Sequence, residues 1–265
     1  MSDSIVPTPS VDLLVRMGHL LDFKDKMLKI LGSSAKVSAI NGSPHAKDLR
    51  AFASQLSAAR RWMKFGKIIR STPDLLNPLG DVVFPKSASL MDYAKVFIGK
   101  SEFVADIFQM IAEDVHTLQK AKYWTAGLGF KPISNLETIE DRAWWVWSIL
   151  ATLSSFIELR DLGHKLRSSS LRLEALNAAA VPEEVLEMKK AVSVLKIKYY
   201  LSLFKFVKFF CEVIDSSIAL TPDRIKALHP SGFELVSCFV GSVSAVSSLH
   251  KLFYNESKAI ASSSK

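Results

Sequence analysis

Apolar residues recur three and four positions apart along almost the whole chain, the spacing that lines up one face of an α-helix. The strict alternation of a half-buried strand is nearly absent, and the breaks between periodic stretches are short. Ser10 stands where an N-cap belongs and opens a first helix over residues 11–31, broken or bent near Gly32-Ser33-Ser34. Asn41-Gly42-Ser43-Pro44 reads as a turn. A second long helix follows over residues 46–70, stopped by Thr72-Pro73, and Pro73, Pro78, Gly80 and Pro85 mark a loop. Ser87 or Ser89 caps a third helix reaching Lys122, which residues 127–132 interrupt. Residues 141–166 hold a strongly apolar helix followed by a serine-rich polar stretch. Pro182-Glu183-Glu184 has the form of a helix start, with proline in the first position and acids at the positive end of the macrodipole. That helix runs to about Leu220; Thr221-Pro222 and Pro230-Ser231-Gly232 then punctuate before a last apolar segment, residues 233–254, and a polar tail. The expected fold is all-α: a bundle of long amphipathic helices with one or two short membrane-embedded helices. Residues 1–125 and 126–265 form its two regions within one cooperative unit, and no internal repeat is visible.

The helix over residues 46–70 is two-faced. At 100° per residue, Arg50, Arg60, Arg61, Lys64 and Lys67 fall within one arc of about 120°. Phe52, Leu56, Ala59, Trp62, Met63, Phe65 and Ile69 occupy the opposite arc, with Ile68 on the wrong side. Bulky aromatics opposite cations suit the lipid interface, where the apolar wedge enters the acyl boundary and the cations meet phosphates. The same pattern is met in a surface helix whose charged face is simply wet, and the helix alone does not separate the two.

Two stretches of fifteen residues, 143–157 and 235–249, carry no charge. The first has Trp144, Trp145 and Trp147 crowded at its N-terminal end, where an interfacial aromatic belt would lie. At 1.5 Å per residue it spans roughly 22 Å, short of the roughly 30 Å hydrocarbon core, so a strained span, a re-entrant or interfacial helix and a core helix all stay open. In the second, Gly241, Ser244, Ala245 and Ser248 share one stripe, the small-residue ridge that lets helices approach closely in a bilayer. Between these stretches, Tyr199, Tyr200, Leu203, Phe204, Phe206, Val207, Phe209 and Phe210 give a broad aromatic face, with Lys198, Lys205 and Lys208 on a narrow opposite stripe.

Composition sharpens the picture. Nearly half of the 265 residues are apolar, and the formal net charge is +8, which directs attention to polyanionic partners. Basic charge without a nucleic-acid-binding motif argues for anionic lipid over nucleic acid. Cys211 and Cys238 lie in apolar runs without motif spacing and read as small buried hydrophobes, not as a disulfide or metal site. The first ten residues lack the basic and apolar regions of a secretory signal, so Asn41-Gly42-Ser43 and Asn255-Glu256-Ser257 read as chance sequons. His19, His45, His116, His164, His229 and His250 are scattered, with no metal-ligand spacing. Gly127-Leu128-Gly129 lacks a third glycine and a preceding strand, and there is no phosphate loop or serine elbow. The pairs Glu113-Asp114 and Glu183-Glu184 fit helix surfaces and starts better than acid–base work. The chain is therefore expected not to be an enzyme and to use no cofactor.

Taken in order, these segments resemble the peroxin-eleven family of peroxisomal membrane proteins. Phe23-Lys24-Asp25-Lys26-Met27-Leu28-Lys29 looks like the family's opening motif, with lysine where arginine is common. Ala59-Arg60-Arg61-Trp62-Met63-Lys64-Phe65-Gly66-Lys67 is similar to its AR…GK signature. Residues 113–118 sit where relatives carry an acid and a tryptophan-containing apolar stretch; here Thr117 takes the approximate place of the tryptophan. Residues 206–220 with Asp215, then 232–253 with Gly241, Ser244, Ser247 and Ser248, follow the family's closing glycine-serine helix. The resemblance covers about residues 11–254.

It implies elongation, division and proliferation of peroxisomes, or of relatives such as kinetoplastid glycosomes. An amphipathic helix facing the cytosol would insert into the peroxisomal membrane and, with self-association into homo-oligomers, curve it. The implied partners are anionic phospholipids, other copies of the chain, a fission adaptor with its dynamin-like GTPase, and the peroxisomal membrane-protein import receptor. The lipid contacts would be Arg60, Arg61, Lys64 and Lys67. A pore or metabolite channel is the first alternative, and a soluble helical scaffold the second.

Overall fold

The computed structural model describes residues 21–66, 90–122, 128, 131–178 and 182–263. Among these residues there is no strand. The helices are α1 (Leu21–Ile40), α2 (Ala46–Lys64), α3 (Leu90–Lys120), α4 (Leu136–Ala178), α5 (Pro182–Leu220), the single turn α6 (Asp223–Lys226) and α7 (Pro230–Ser263). The all-α expectation holds, and the glycine and proline punctuation marks most of the boundaries.

Several boundaries differ: α4 opens at Leu136 where the sequence suggests 141, and α7 runs from Pro230 to Ser263 where it suggests 233–254. Helix α1 runs unbroken through Gly32-Ser33-Ser34. Gly32 serves packing there: a Cβ on it would lie 4.0 Å from Leu56 Cβ, and with buried Ala35, Ala39 and Ala53 it lets α1 and α2 approach closely. Helix α2 ends at Lys64, several residues before the expected stop, because Gly66 takes a left-handed φ of 72°. Helix α4 continues through Ser168-Ser169-Ser170 to Ala178, so the serine-rich stretch is helical. The expected start of the first helix and the positions Lys67, Ile68 and Ile69 lie outside the described residues.

Helix α2 packs on α1, α1 on α7, α7 on α5, α5 on α4, and α4 on α3; α3 then touches α2 at a few points, so the six long helices close a ring. Helices from both halves of the chain thus share one bundle. Small and polar residues make the inner seams. Ser148, Ala151, Ser155, Ser216 and Ala245 are fully withdrawn from solvent. Ser148 and Ser216 meet across α4 and α5 with 3.2 Å between hydroxyl oxygens. Trp147 meets Phe209 edge to face at 5.5 Å, and Phe23 of α1 meets Phe253 of α7 at 6.3 Å. Cys211 and Cys238 are buried free thiols.

Large apolar side chains point the other way. Phe97 is 73% exposed and Phe239 70%, and Val104, Phe108, Phe156, Phe210 and Val246 are also exposed. A water-soluble bundle places such residues inside and its serines outside. One described helix, Pro230–Lys258, is long and apolar enough to cross a membrane by length and composition. The stretch 143–157 is instead one part of the long helix α4, its small side chains Ser148, Ala151 and Ser155 turned inward.

Candidate functional site: a cationic helix clasped by carboxylates

The inside of the ring holds a polar cleft of about 500 Å³ between α1, α2, α3, α4 and α5. Its wall alternates cations (Lys26, Lys29, Arg60, Arg61, Lys64, Lys208) with carboxylates (Asp25, Glu113, Glu140, Glu212, Asp215). The cationic face of α2 supplies three of these groups. Arg60 Nε donates to Asp25 Oδ1 at 2.9 Å, and Asp25 also takes Lys26 at 3.0 Å. Arg61 Nη1 donates to Glu140 Oε2 at 3.3 Å and lies 3.1 Å from His116 Nδ1, while His116 and Glu140 are themselves in contact. Lys64 Nζ donates to Glu113 Oε1 at 3.2 Å. Arg50, outside the cleft lining, reaches Glu234 of α7 at 3.4 Å.

The faces of α2 are therefore ordered differently from the expectation that its cations point to phosphates. In this structure Arg60, Arg61 and Lys64 turn inward to carboxylates, while Phe52 (46% exposed), Trp62 (46%) and Phe65 (36%) lie on the outer surface. Trp62 and Phe65 meet edge to face at 5.6 Å; Leu56 and Met63 are half-buried. The aromatic half of the wedge is presented outward, and the cationic half is neutralised from within the chain.

The turn after α2 completes the arrangement. The backbone N–H of Gly66 donates to both carboxylate oxygens of Asp114 at 3.2 Å. No atom would crowd a Cβ at Gly66, so a side chain there meets backbone strain alone. Gly66→Ala should cost about 1 kcal/mol, a loss of a few degrees in the melting temperature, with α2 otherwise intact by circular dichroism.

Burial alone would raise the carboxyl of Glu113, but the Lys64 ammonium and the Gln109 hydrogen bond outweigh it and hold its pKa below the usual 4.5. Asp25 behaves alike: burial is overcome by Lys26 and Arg60, and its carboxyl stays well below the ordinary range. A lowered folded pKa gives stability that is complete above the unfolded value and lost as pH falls through the folded one. Thermal stability supplied by the Glu113 pair should accordingly be constant from pH 7 to about 4.5 and decline below that. The difference in melting temperature between wild type and Glu113→Gln, measured across this range, should shrink only below about pH 4.5.

On α7, Gly241, Ser244 and Ala245 are buried and Ser248 half-buried, and the stripe packs against α5 and α1. A Cβ at Gly241 would lie 3.2 Å from Lys29 Cε, and Ser244 Oγ donates to Glu212 Oε1 at 3.0 Å. The small-residue ridge thus serves helix packing and admits the Lys29 side chain beside it. Sequence reading missed Lys29, Glu140, Glu212 and His116 as members of one cluster. The available signal was the presence of single charges inside otherwise apolar periodic runs, such as Glu212 and Asp215 within the aromatic α5.

Outside the ring, α3 and α4 form an apolar groove of about 1050 Å³, walled by Phe97, Val104, Phe108, Val146 and Leu150, whose only charged lining groups among the described residues are Lys100 and Arg142. No group of histidine, cysteine and carboxylate side chains among the described residues could hold a metal ion. Fold and cleft together define an all-α bundle with a charged centre and many large apolar side chains among the charged groups of its surface. Compared with known proteins, the chain matches no family model, no curated protein and no solved structure.

Proposed function

We propose that this protein remodels membranes, and that the membrane is that of the peroxisome or a glycosome. The observation that carries the membrane reading is the packing: serines, alanines and ion pairs make the inner seams beside a few large residues such as Met110 and Phe209, while Phe97, Phe108, Phe156, Phe210 and Phe239 face outward. In a bilayer that arrangement satisfies both solvents, since small residues let helices meet and large apolar ones face acyl chains. Helix α7 is the segment suited to span, and α2 the segment suited to lie in the interface.

In this reading the aromatic face of α2 enters the cytosolic leaflet, widens it relative to the other, and copies of the chain add their wedges. The elongated membrane is then the substrate of a fission adaptor and a dynamin-like GTPase, and an import receptor for peroxisomal membrane proteins delivers the chain. The peroxisomal address rests on the motif resemblance at residues 23–29 and 59–67. Overexpression of a fluorescently tagged chain should place it on peroxisomes and increase their number or length. A diffuse cytosolic signal, with release by alkaline carbonate, would favour a soluble scaffold and sink the proposal.

A second reading has its own observation. A polar, charge-lined cleft at the ring's centre, with large apolar side chains on the outer surface, is a feature a pore requires. Its charges are largely paired across the lumen, which favours a closed structural centre. Reconstitution into planar bilayers decides: unitary conductance that changes with Glu212→Gln would establish the pore.

A further inference from the structure

The clasp on α2 suggests how its membrane activity is controlled. Beyond its hairpin partner α1, α2 is tied to the bundle by polar links: Arg50 to Glu234, Arg61 to Glu140, Lys64 to Glu113 and the Gly66 amide to Asp114. Helices α2 and α3 have little direct packing between them. The linking side chains retain partial exposure, with Arg61 at 29% and Lys64 at 35%, so ions and headgroups can compete for them. Such links hold by geometry and charge and exchange readily for another anion of the same chemistry.

The carboxylates can also release α2 without being orphaned. Glu140 keeps its contact with His116, and Glu113 keeps the Gln109 amide at 3.1 Å; both partners belong to α3. On the α2 side, Phe52, Trp62 and Phe65 are already outward, so freeing the helix from α3 and α4 disturbs little apolar packing beyond the half-buried Met63.

We propose that Glu113, Glu140 and Glu234 form an intramolecular latch that holds α2 closed, and that an anionic lipid surface opens it by putting phosphates in place of carboxylates at Arg50, Arg61 and Lys64. The latch rests on the membrane-remodelling reading and adds to it a resting state. Exchange of one anion for another leaves the cations paired throughout, and insertion of the aromatic face drives the opening. The helix is thereby kept from acting on weakly charged membranes, and its response to anionic lipid is made steep.

The test is binding of the full chain, from detergent, to vesicles of phosphatidylcholine with or without phosphatidylserine. Glu113→Gln combined with Glu140→Gln frees two cations, each worth about a factor of five near an anionic surface. Apparent affinity for phosphatidylserine vesicles should rise about 30-fold, with no change on pure phosphatidylcholine. Glu234→Gln, at a solvent-facing pair, should raise it about five-fold, and it decides the matter if the double variant fails to fold. Unchanged affinity in variants that fold, while wild type binds phosphatidylserine vesicles, would overturn the latch and leave the remodelling reading standing. Binding by the variants but not by wild type would support both. Absence of binding by every form would overturn both.

Discussion

Replacing Phe52 and Trp62 together with aspartate should abolish insertion of α2 and vesicle tubulation while leaving the bundle folded. Each ring is 46% exposed, so each has on the order of 100 Å² free to enter lipid. At about 25 cal/mol per Å² that is roughly 2.5 kcal/mol per ring, about 5 kcal/mol for the pair, or more than a thousand-fold in affinity. Two aspartates near an anionic surface add repulsion to that loss. Neither ring is buried in the bundle, so the melting temperature should move by no more than a few degrees. Electron microscopy of vesicles, beside a circular-dichroism melt, reads both quantities. Tubules formed by the double variant would remove α2 as the wedge. A collapsed melting curve would show instead that the two rings pack within an assembly of several copies.

The contrast between α2's two faces explains what the sequence could and could not convey. Spacing alone put Arg50, Arg60, Arg61 and Lys64 opposite Phe52 and Trp62, and the structure keeps that division. Which face looks inward was not legible, because the deciding partners lie far along the chain: Asp25 is 35 residues from Arg60, Glu113 49 from Lys64, Glu140 79 from Arg61 and Glu234 184 from Arg50. An amphipathic helix in water normally turns its apolar face inward, and this one reverses that order by finding acids on four other helices. The reversal is itself the kind of local conflict that marks functional sites.

Other elements were legible for identifiable reasons. Pro182 occupies a first helical position, where the missing N–H is harmless, and the expected start is found there; Pro230, read from the sequence as punctuation before residue 233, is itself the first residue of α7. The Gly241 stripe could be recognised because close helix approach demands small side chains at that spacing whether the surroundings are lipid or protein. Gly32 misled because a glycine weakens a helix locally but is tolerated when a neighbour packs tightly on it, here Leu56 of α2. Ser168–Ser170 misled similarly: the i−3 and i−4 carbonyls satisfy serine hydroxyls within a helix, as Ser168 does on Lys165 at 3.0 Å.

Glu212→Ala should be the most damaging single substitution in the bundle. Glu212 is 7% exposed; Oε1 accepts the Ser244 hydroxyl at 3.0 Å and lies 3.9 Å from the Lys208 ammonium, and Oε2 has no hydrogen-bond partner. Lys29, which passes Gly241, faces the same carboxylate and Asp215. Alanine would leave both lysines short of an anion beside the buried seam of α5 and α7, a loss of about 3 kcal/mol. Glu212→Gln retains the Ser244 hydrogen bond and should cost less, and Glu212→Met with Lys29→Met, which removes an opposed pair together, should be milder than alanine alone. Thermal aggregation of the four proteins in detergent should rank wild type first, then glutamine and the methionine pair, then alanine. That ranking would mark the cleft as a packed ionic centre that fixes α7 against α5 and α1, the rigid frame from which α2 departs. Stability unmoved by alanine would instead place these charges in open water, and a water-filled charged lumen is what conduction through the ring would need.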